Sequence, residues 1–159
     1  MLTVNLICIG RLKEKYWRDA CEEYEKRLGA FCKFSIVELP ESRIPDQPSQ
    51  ASILGALGEE GEKILSRCKS GVIIPLCIEG EEISSQGLAQ KIQQFSVNGI
   101  SSLSFVIGSS YGLADKVKQA GAFRLSMSPM TFPHQLARVM VCEQIYRAFQ
   151  LINHGKYHK

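Results

Sequence analysis

The sequence predicts an α/β domain built on a mostly parallel sheet with helices on both faces. Three observations carry this expectation. Apolar runs at residues 2–10, 71–80 and 103–110 each end at glycine or at a small polar turn. None of them alternates cleanly between apolar and polar side chains, as expected of strands covered on both faces. Between them lie stretches with helical periodicity, so that strand and helix alternate almost throughout the chain.

In chain order, "LTVNLICIG" at 2–10 is the first strand. Its charges follow the apolar run rather than precede it, which argues against a secretory leader. Residues 14–29 have helical periodicity, and "FCKFSIVEL" at 31–39 is a weaker strand candidate. "PESRIPDQPSQ" at 40–50 holds three prolines among polar residues and is expected to be a flexible loop. A helix over about 50–68, the strand "GVIIPLCIEG" at 71–80, a helix at 84–96 and the strand "LSFVIGSS" at 103–110 follow. The remaining elements are a short helix over 113–120, a weak strand at 122–128 and a long helix over about 132–153.

The long helix is the most informative element. Leu136, Val139, Met140, Ile145, Tyr146, Phe149 and Ile152 form a broad apolar face, with Arg138, Glu143, Arg147 and Gln150 elsewhere. Pro133 is tolerated only at the helix start, and Thr131 is expected to cap it. The apolar face can pack on its own sheet or on a second copy of the chain.

With 159 residues, 45% hydrophobic and 22% charged, a single domain spanning 1–159 is expected. No run reaches the length needed to cross a bilayer. The six cysteines include no C-x-x-C pair, and those at 8, 77 and 142 sit in apolar patterns, so they are expected to be reduced core residues of a cytoplasmic protein. No carboxylate pair or metal-ligand cluster is visible, so neither metal chemistry nor glycoside-type hydrolysis is favoured. The net charge of +3 is uneven: residues 116–159 carry seven Lys or Arg against Glu143 alone. A basic C-terminal third suits a polyanionic partner, although a solvated basic face reads the same way.

Ligands of open α/β sheets bind beyond the carboxyl ends of the strands. Three loops are expected there: 76–80, 108–112 and 127–132. "IGSSYGL" has glycines that let backbone N–H groups approach a ligand, but its spacing is neither a dinucleotide fingerprint nor a phosphate loop. "MSPMTF" offers thioethers and a ring for a flat ligand, with hydroxyls and backbone amides for polar contacts. Core methionines before a capped helix are the plain structural alternative. His134, in the first helical turn, is expected to stay neutral against the helix dipole. The tail "KYHK" reads either as a frayed terminus or as an ordered one, in which Tyr157 stacks on a base.

"FVIGSSYGL", "LSMSPMTFPHQLARVMVCEQIYRAF" and the terminal "YHK", with the opening "VNLICIGRLKEKYW" and "VIIPLCIEG", resemble the ribosomal large subunit methyltransferase H family over essentially the whole chain. That family belongs to the SPOUT class, the α/β-knot methyltransferases. The resemblance implies a C-terminal trefoil knot, a homodimer formed through the last helix, and methylation of N3 of a pseudouridine in 23S rRNA, within the ribosome, using S-adenosyl-L-methionine. It places cofactor contacts on Leu76, Gly108, Met127, Ser128, Pro129, Met130, Thr131 and Phe132. Loss of the N3 proton would be aided by Tyr157 and His158 of the tail, reaching the partner's site, and then by Arg138 and His134. Arg147, Lys156 and Lys159 would meet phosphate. One departure is Ser109, where the family usually has a second glycine; it is expected to be strained if that position needs a positive φ. A non-enzymatic ribosome-binding protein would share the basic third but need no ligand slot. A nucleotide-dependent oxidoreductase would need a glycine fingerprint that is absent.

Overall fold

The computed structural model describes residues 1–159. In chain order the elements are β1 (Thr3–Ile9), α1 (Lys15–Leu28), β2 (Lys33–Leu39), α2 (Gln50–Arg67), β3 (Val72–Glu82), α3 (Ser85–Val97), β4 (Ser102–Ile107), α4 (Asp115–Ala120), β5 (Leu125–Ser126) and α5 (His134–Ile152). The strands form one sheet in the order β2-β1-β4-β3-β5, with every pairing parallel.

Successive side chains of a strand point to opposite faces, and both faces here are covered. On β1, Val4, Leu6 and Cys8 enter the larger core, while Ile7 and Ile9 enter the smaller one. On β4, Leu103, Phe105 and Ile107 oppose Val106 in the same way. The larger core lies beneath α1, α3 and α5, and the smaller beneath α2 and α4. This two-sided burial explains why the strands read as continuous apolar runs.

The helix starts follow local chemistry, with one departure from expectation. Ser49 caps α2 by accepting the Ser52 N–H, and Ser84 caps α3 by accepting the Gly87 N–H. Thr131 does not cap α5. The cap position is taken by Pro133 (φ −56°, ψ 145°), which offers no side-chain acceptor, and the helix begins at His134. The proline keeps Phe132 out of the helical region, so the helix cannot start where Thr131 would serve it. The first N–H groups of α5 are thereby left without a side-chain partner.

Three further expectations are adjusted. The strand expected at 122–128 is reduced to Leu125–Ser126, because pairing with β3 shifts register between Leu76 and Glu81. The Pro-rich loop has a firm anchor: Glu60, 2% exposed on α2, accepts the Ser42 N–H at 2.9 Å. On α5 the buried stripe is Arg138, Val141, Cys142, Ile145, Ala148 and Phe149. Arg138 therefore lies inside, whereas Val139, Met140 and Tyr146 are only half-buried. All six cysteines are free thiols, five of them buried. No helix is long and apolar enough to cross a membrane.

Candidate active site

The loops that follow β4 and precede α5, with the middle of β3, converge on a cavity of about 380 Å³. Its floor is apolar, with Ile107, Leu113, Leu125 and Val141. Its rim is polar, with Ser109, Ser110, Lys118, Ser128 and His134. That volume lies within the roughly 300–1,000 Å³ of small-ligand sites.

The β4 loop is shaped by its glycines. A Cβ on Gly108 would overlap the carbonyl of Gly112, and Gly112 itself has φ +90°. Ser109 and Gly112 form an isolated antiparallel bridge, with the Gly112 N–H donating to the Ser109 carbonyl at 2.8 Å. Ser109 carries no left-handed strain: His154 is the only non-glycine residue with positive φ. The loop absorbs a side chain there without backbone strain because the left-handed turn falls on Gly112. The Ser109 hydroxyl is nonetheless buried without a hydrogen-bond partner.

The loop before α5 is held by its serines. Ser128 Oγ accepts the Met130 N–H at 3.0 Å, and the Ser126 hydroxyl donates to the Ser128 carbonyl at 3.3 Å. Of the eight residues expected to touch a cofactor, Leu76, Gly108, Met127, Ser128, Met130, Thr131 and Phe132 line the cavity. Pro129 is not among its lining residues. The segment 76–80, expected as a loop, is part of β3 and brings Cys77, Ile78 and Glu79 to the same walls, with Tyr111 from the expected 108–112 loop; sequence reasoning missed Lys118. Lys118 reaches from α4 to Glu79 on β3 at 2.5 Å, strapping two walls together and holding the Glu79 carboxyl below its ordinary range. Nothing in the local sequence pairs these two residues, which lie 39 positions apart.

A second, polar cleft of about 400 Å³ adjoins the first. The β1–α1 loop (9–14) and Glu41 form one side, and Gln135 and Arg138 of α5 the other. Ser109, Ser110 and His134 line both spaces. Arg138, 3% exposed, donates to Glu38 Oε2 at 2.6 Å and to the Gly10 carbonyl at 3.2 Å. The same Glu38 oxygen accepts the Leu12 N–H at 3.0 Å, whereas Arg138 Nε has no partner.

The four residues expected to act on the acceptor do not come together in one subunit. His134 and Arg138 lie at the cavity end of α5. Tyr157 and His158 dock on its other half: the Tyr157 hydroxyl donates to Glu143 at 3.2 Å, and its ring meets Tyr146 edge-on at 4.9 Å. Arg147 Nη1 and His158 Nδ1 are 3.2 Å apart, and Arg147 also pairs with Glu143 at 2.6 Å. At 1.5 Å per residue, Arg147 sits about 20 Å along the helix from His134. Burial, reinforced by Tyr24 and Glu143, pushes the Tyr157 phenol up to about 12 in this position. The tail is thus packed rather than free. Lys156 and Lys159 are exposed, while Arg147 is engaged in its ion pair. No cluster of three or more His, Cys, Asp or Glu side chains is placed to hold a metal ion.

The family model described as "Predicted SPOUT methyltransferase" matches residues 2–158. A protein of Bifidobacterium animalis subsp. lactis named "Ribosomal RNA large subunit methyltransferase H" is 42% identical over 159 residues, covering 99% of this chain and all of that protein. Among solved structures, a probable methyltransferase from Bordetella pertussis superposes with a TM-score of 0.56 at 16% identity, covering 92% of this chain and 93% of that one. A probable methylase family protein from Haemophilus influenzae superposes at 0.55 and 15% identity, covering 99% of this chain and 70% of that one. At these identities the two structures speak for the fold alone.

Proposed function

Because the chain belongs to the SPOUT methyltransferase family, we propose that it methylates N3 of a pseudouridine in 23S rRNA, acting in the cytoplasm on RNA within the ribosome. It is a methyltransferase, and its methyl donor is S-adenosylmethionine. The observation that carries the reading is the cavity at the carboxyl ends of the strands, with an apolar floor and a rim of glycine backbone and hydroxyls.

The residues present fit that donor. Gly108 packs directly on the Gly112 carbonyl, which folds the 108–112 turn tightly at the cavity edge, and nearby the uncapped start of α5 presents N–H groups without a side-chain partner. The slot between Met127, Phe132 and Leu113 suits a flat heterocycle, and Ser128 and Thr131 supply polar contacts at its edge. When bound, the cofactor supplies a methyl group already activated on a sulfonium.

The chain's own residues must hold the acceptor in line with that methyl group and assist loss of the imide proton. His134, which lines both spaces, is the near candidate to hydrogen-bond the acceptor. Arg138 acts through the wall it braces rather than as an exposed cation. Tyr157 and His158 lie too far along their own α5 to serve the cavity of the same subunit. We therefore assign them to the site of a second copy, in a homodimer joined along α5. The half-buried Val139 and Met140 supply apolar surface for that contact. Arg147, Lys156 and Lys159 are assigned to RNA phosphate, and the segment after β5 to a trefoil knot.

The reading is tested by heating the protein with and without S-adenosylmethionine. At a concentration about one hundred times Kd, mass action contributes roughly 2.7 kcal/mol and raises the midpoint by roughly 5–10 °C. An unchanged midpoint would refute it.

A further inference from the structure

We propose that the polar cleft beside the cavity is the seat of the acceptor nucleotide, with its base against Ser109 and its flanking phosphates on Arg11 and Lys13. The inference rests on the methyltransferase reading and extends it to the β1–α1 loop, to which the family resemblance assigns no role.

Four observations carry it. The cleft and the cavity share Ser109, Ser110 and His134, so a ligand in one abuts a ligand in the other, as direct methyl transfer requires. The shared wall and the cleft behind it hold unmet hydrogen-bonding capacity: Ser109 Oγ on the wall and Arg138 Nε in the cleft are buried without partners, on residues 5% and 3% exposed. Orphans of this kind are rare in a folded protein, and two of the three here, Ser109 Oγ and Arg138 Nε, lie on residues that line this cleft. The wall is also rigid, because Glu38 ties Arg138 of α5 to the Leu12 amide of the β1–α1 loop. Finally, Arg11 and Lys13 are exposed at the cleft and form no ion pair, whereas nearby Lys15 is held by Asp19 and Arg18 by loop carbonyls.

The composition of the cleft selects among anionic ligands. Glu14 and Glu41 share it with Arg11 and Lys13, so it offers little net attraction to a bare phosphate ion. A nucleotide meets both signs. Its phosphates take the cations, while ring N–H and ribose hydroxyl groups donate to the carboxylates. A C-linked uracil ring has two such N–H donors, together with carbonyls for Ser109. The cleft's volume of about 400 Å³ suits a nucleotide turned out of its RNA stack.

The test is steady-state methyl transfer to large ribosomal subunits that lack the modification, by the full-length protein and by Arg11→Glu/Lys13→Glu. The double variant is expected to raise the acceptor KM at least tenfold, with Kd for S-adenosylmethionine and the melting midpoint unchanged. Its log KM against log salt should lose a slope of about 1.4, the loss of two phosphate contacts on an unstacked strand. Arg11→Lys/Lys13→Arg should restore the parent's values. Ser109→Ala, which removes only the hydroxyl, should raise the acceptor KM about five- to tenfold. A double variant with the parent's KM and salt slope overturns the cleft, as does one whose cofactor affinity falls in parallel. A parent protein that methylates no ribosomal RNA removes the functional reading and the cleft with it. Parent activity with unaltered variants removes the cleft alone.

Discussion

Gly108→Ala is expected to weaken S-adenosylmethionine binding while leaving the sheet intact. An added Cβ would overlap the carbonyl carbon and oxygen of Gly112 and come within 2.9 Å of the Leu113 side chain. The Gly112 carbonyl has little room to retreat. Its residue sits at φ +90°, and its N–H is fixed to the Ser109 carbonyl at 2.8 Å. Overpacking of this kind costs about 1–3 kcal/mol. Relief comes by opening the 108–112 turn into the cavity, so the strain is felt as lost shape at the pocket. At 1.4 kcal/mol per tenfold, Kd rises about 5- to 150-fold. Titration calorimetry measures that change, and a thermal scan reports any share the fold absorbs, at about 2–4 °C per kcal/mol. A variant with the parent's Kd would refute the assignment of this turn to the cofactor. A large fall in midpoint with unchanged Kd would show that the strain is relieved away from the pocket.

Other predictions follow from the same geometry. Arg138→Met removes the side-chain donor from the Gly10 carbonyl and leaves Glu38 Oε2 with the Leu12 N–H alone. Breaking a buried pair costs about 3–5 kcal/mol, and because Glu38 is partly exposed, a loss of about 2–3 kcal/mol is expected in urea unfolding. A loss below about 0.5 kcal/mol, as for an ordinary surface change, would show the strut to be dispensable. Alkylation of the native protein should modify Cys77 first, since the other five thiols are buried and burial pushes Cys8 and Cys32 up to about 12. Because Cys77 lines the cavity, S-adenosylmethionine at about ten times Kd should slow that labelling about tenfold. Unprotected labelling would count against the pocket. Deleting residues 157–159 should leave calorimetric cofactor binding unchanged and abolish methyl transfer. Mixing that protein with an intact-tailed Gly108→Arg variant should restore activity through hybrid dimers. No recovery, in a mixture shown to exchange subunits, would argue against a tail acting across the dimer.

The layered fold was legible because each of its signals is local. Gly10 and Gly108 end apolar runs, and Ser49 and Ser84 cap helices within a few residues of themselves. What escaped depends on residues distant in sequence. With both faces of the sheet buried, nothing in "LTVNLICIG" separates Ile7 from Leu6, although they enter different cores. Arg138 reads as a polar-face residue until Glu38, one hundred positions away, supplies its partner. Thr131 looked like a cap because its residue type is right, yet Pro133 displaces the helix start beyond its reach. The same holds at the site. The cavity loops could be placed from their positions after strands, but the cleft could not. Arg11 and Lys13 in a polar loop look like any solvated pair until α5 closes the other wall. Tyr157 and His158 were visible as a motif, whereas their packing on Glu143 and Arg147 was not.

The most direct test of the account is nucleoside mass spectrometry of 23S rRNA from cells lacking this protein, before and after incubating their ribosomes with the purified enzyme and S-adenosylmethionine. An unmodified pseudouridine is expected in the deletion strain, gaining one methyl group on N3 when the enzyme is added. A pseudouridine already methylated in the deletion strain, or one left unchanged by active, cofactor-binding enzyme, would contradict it.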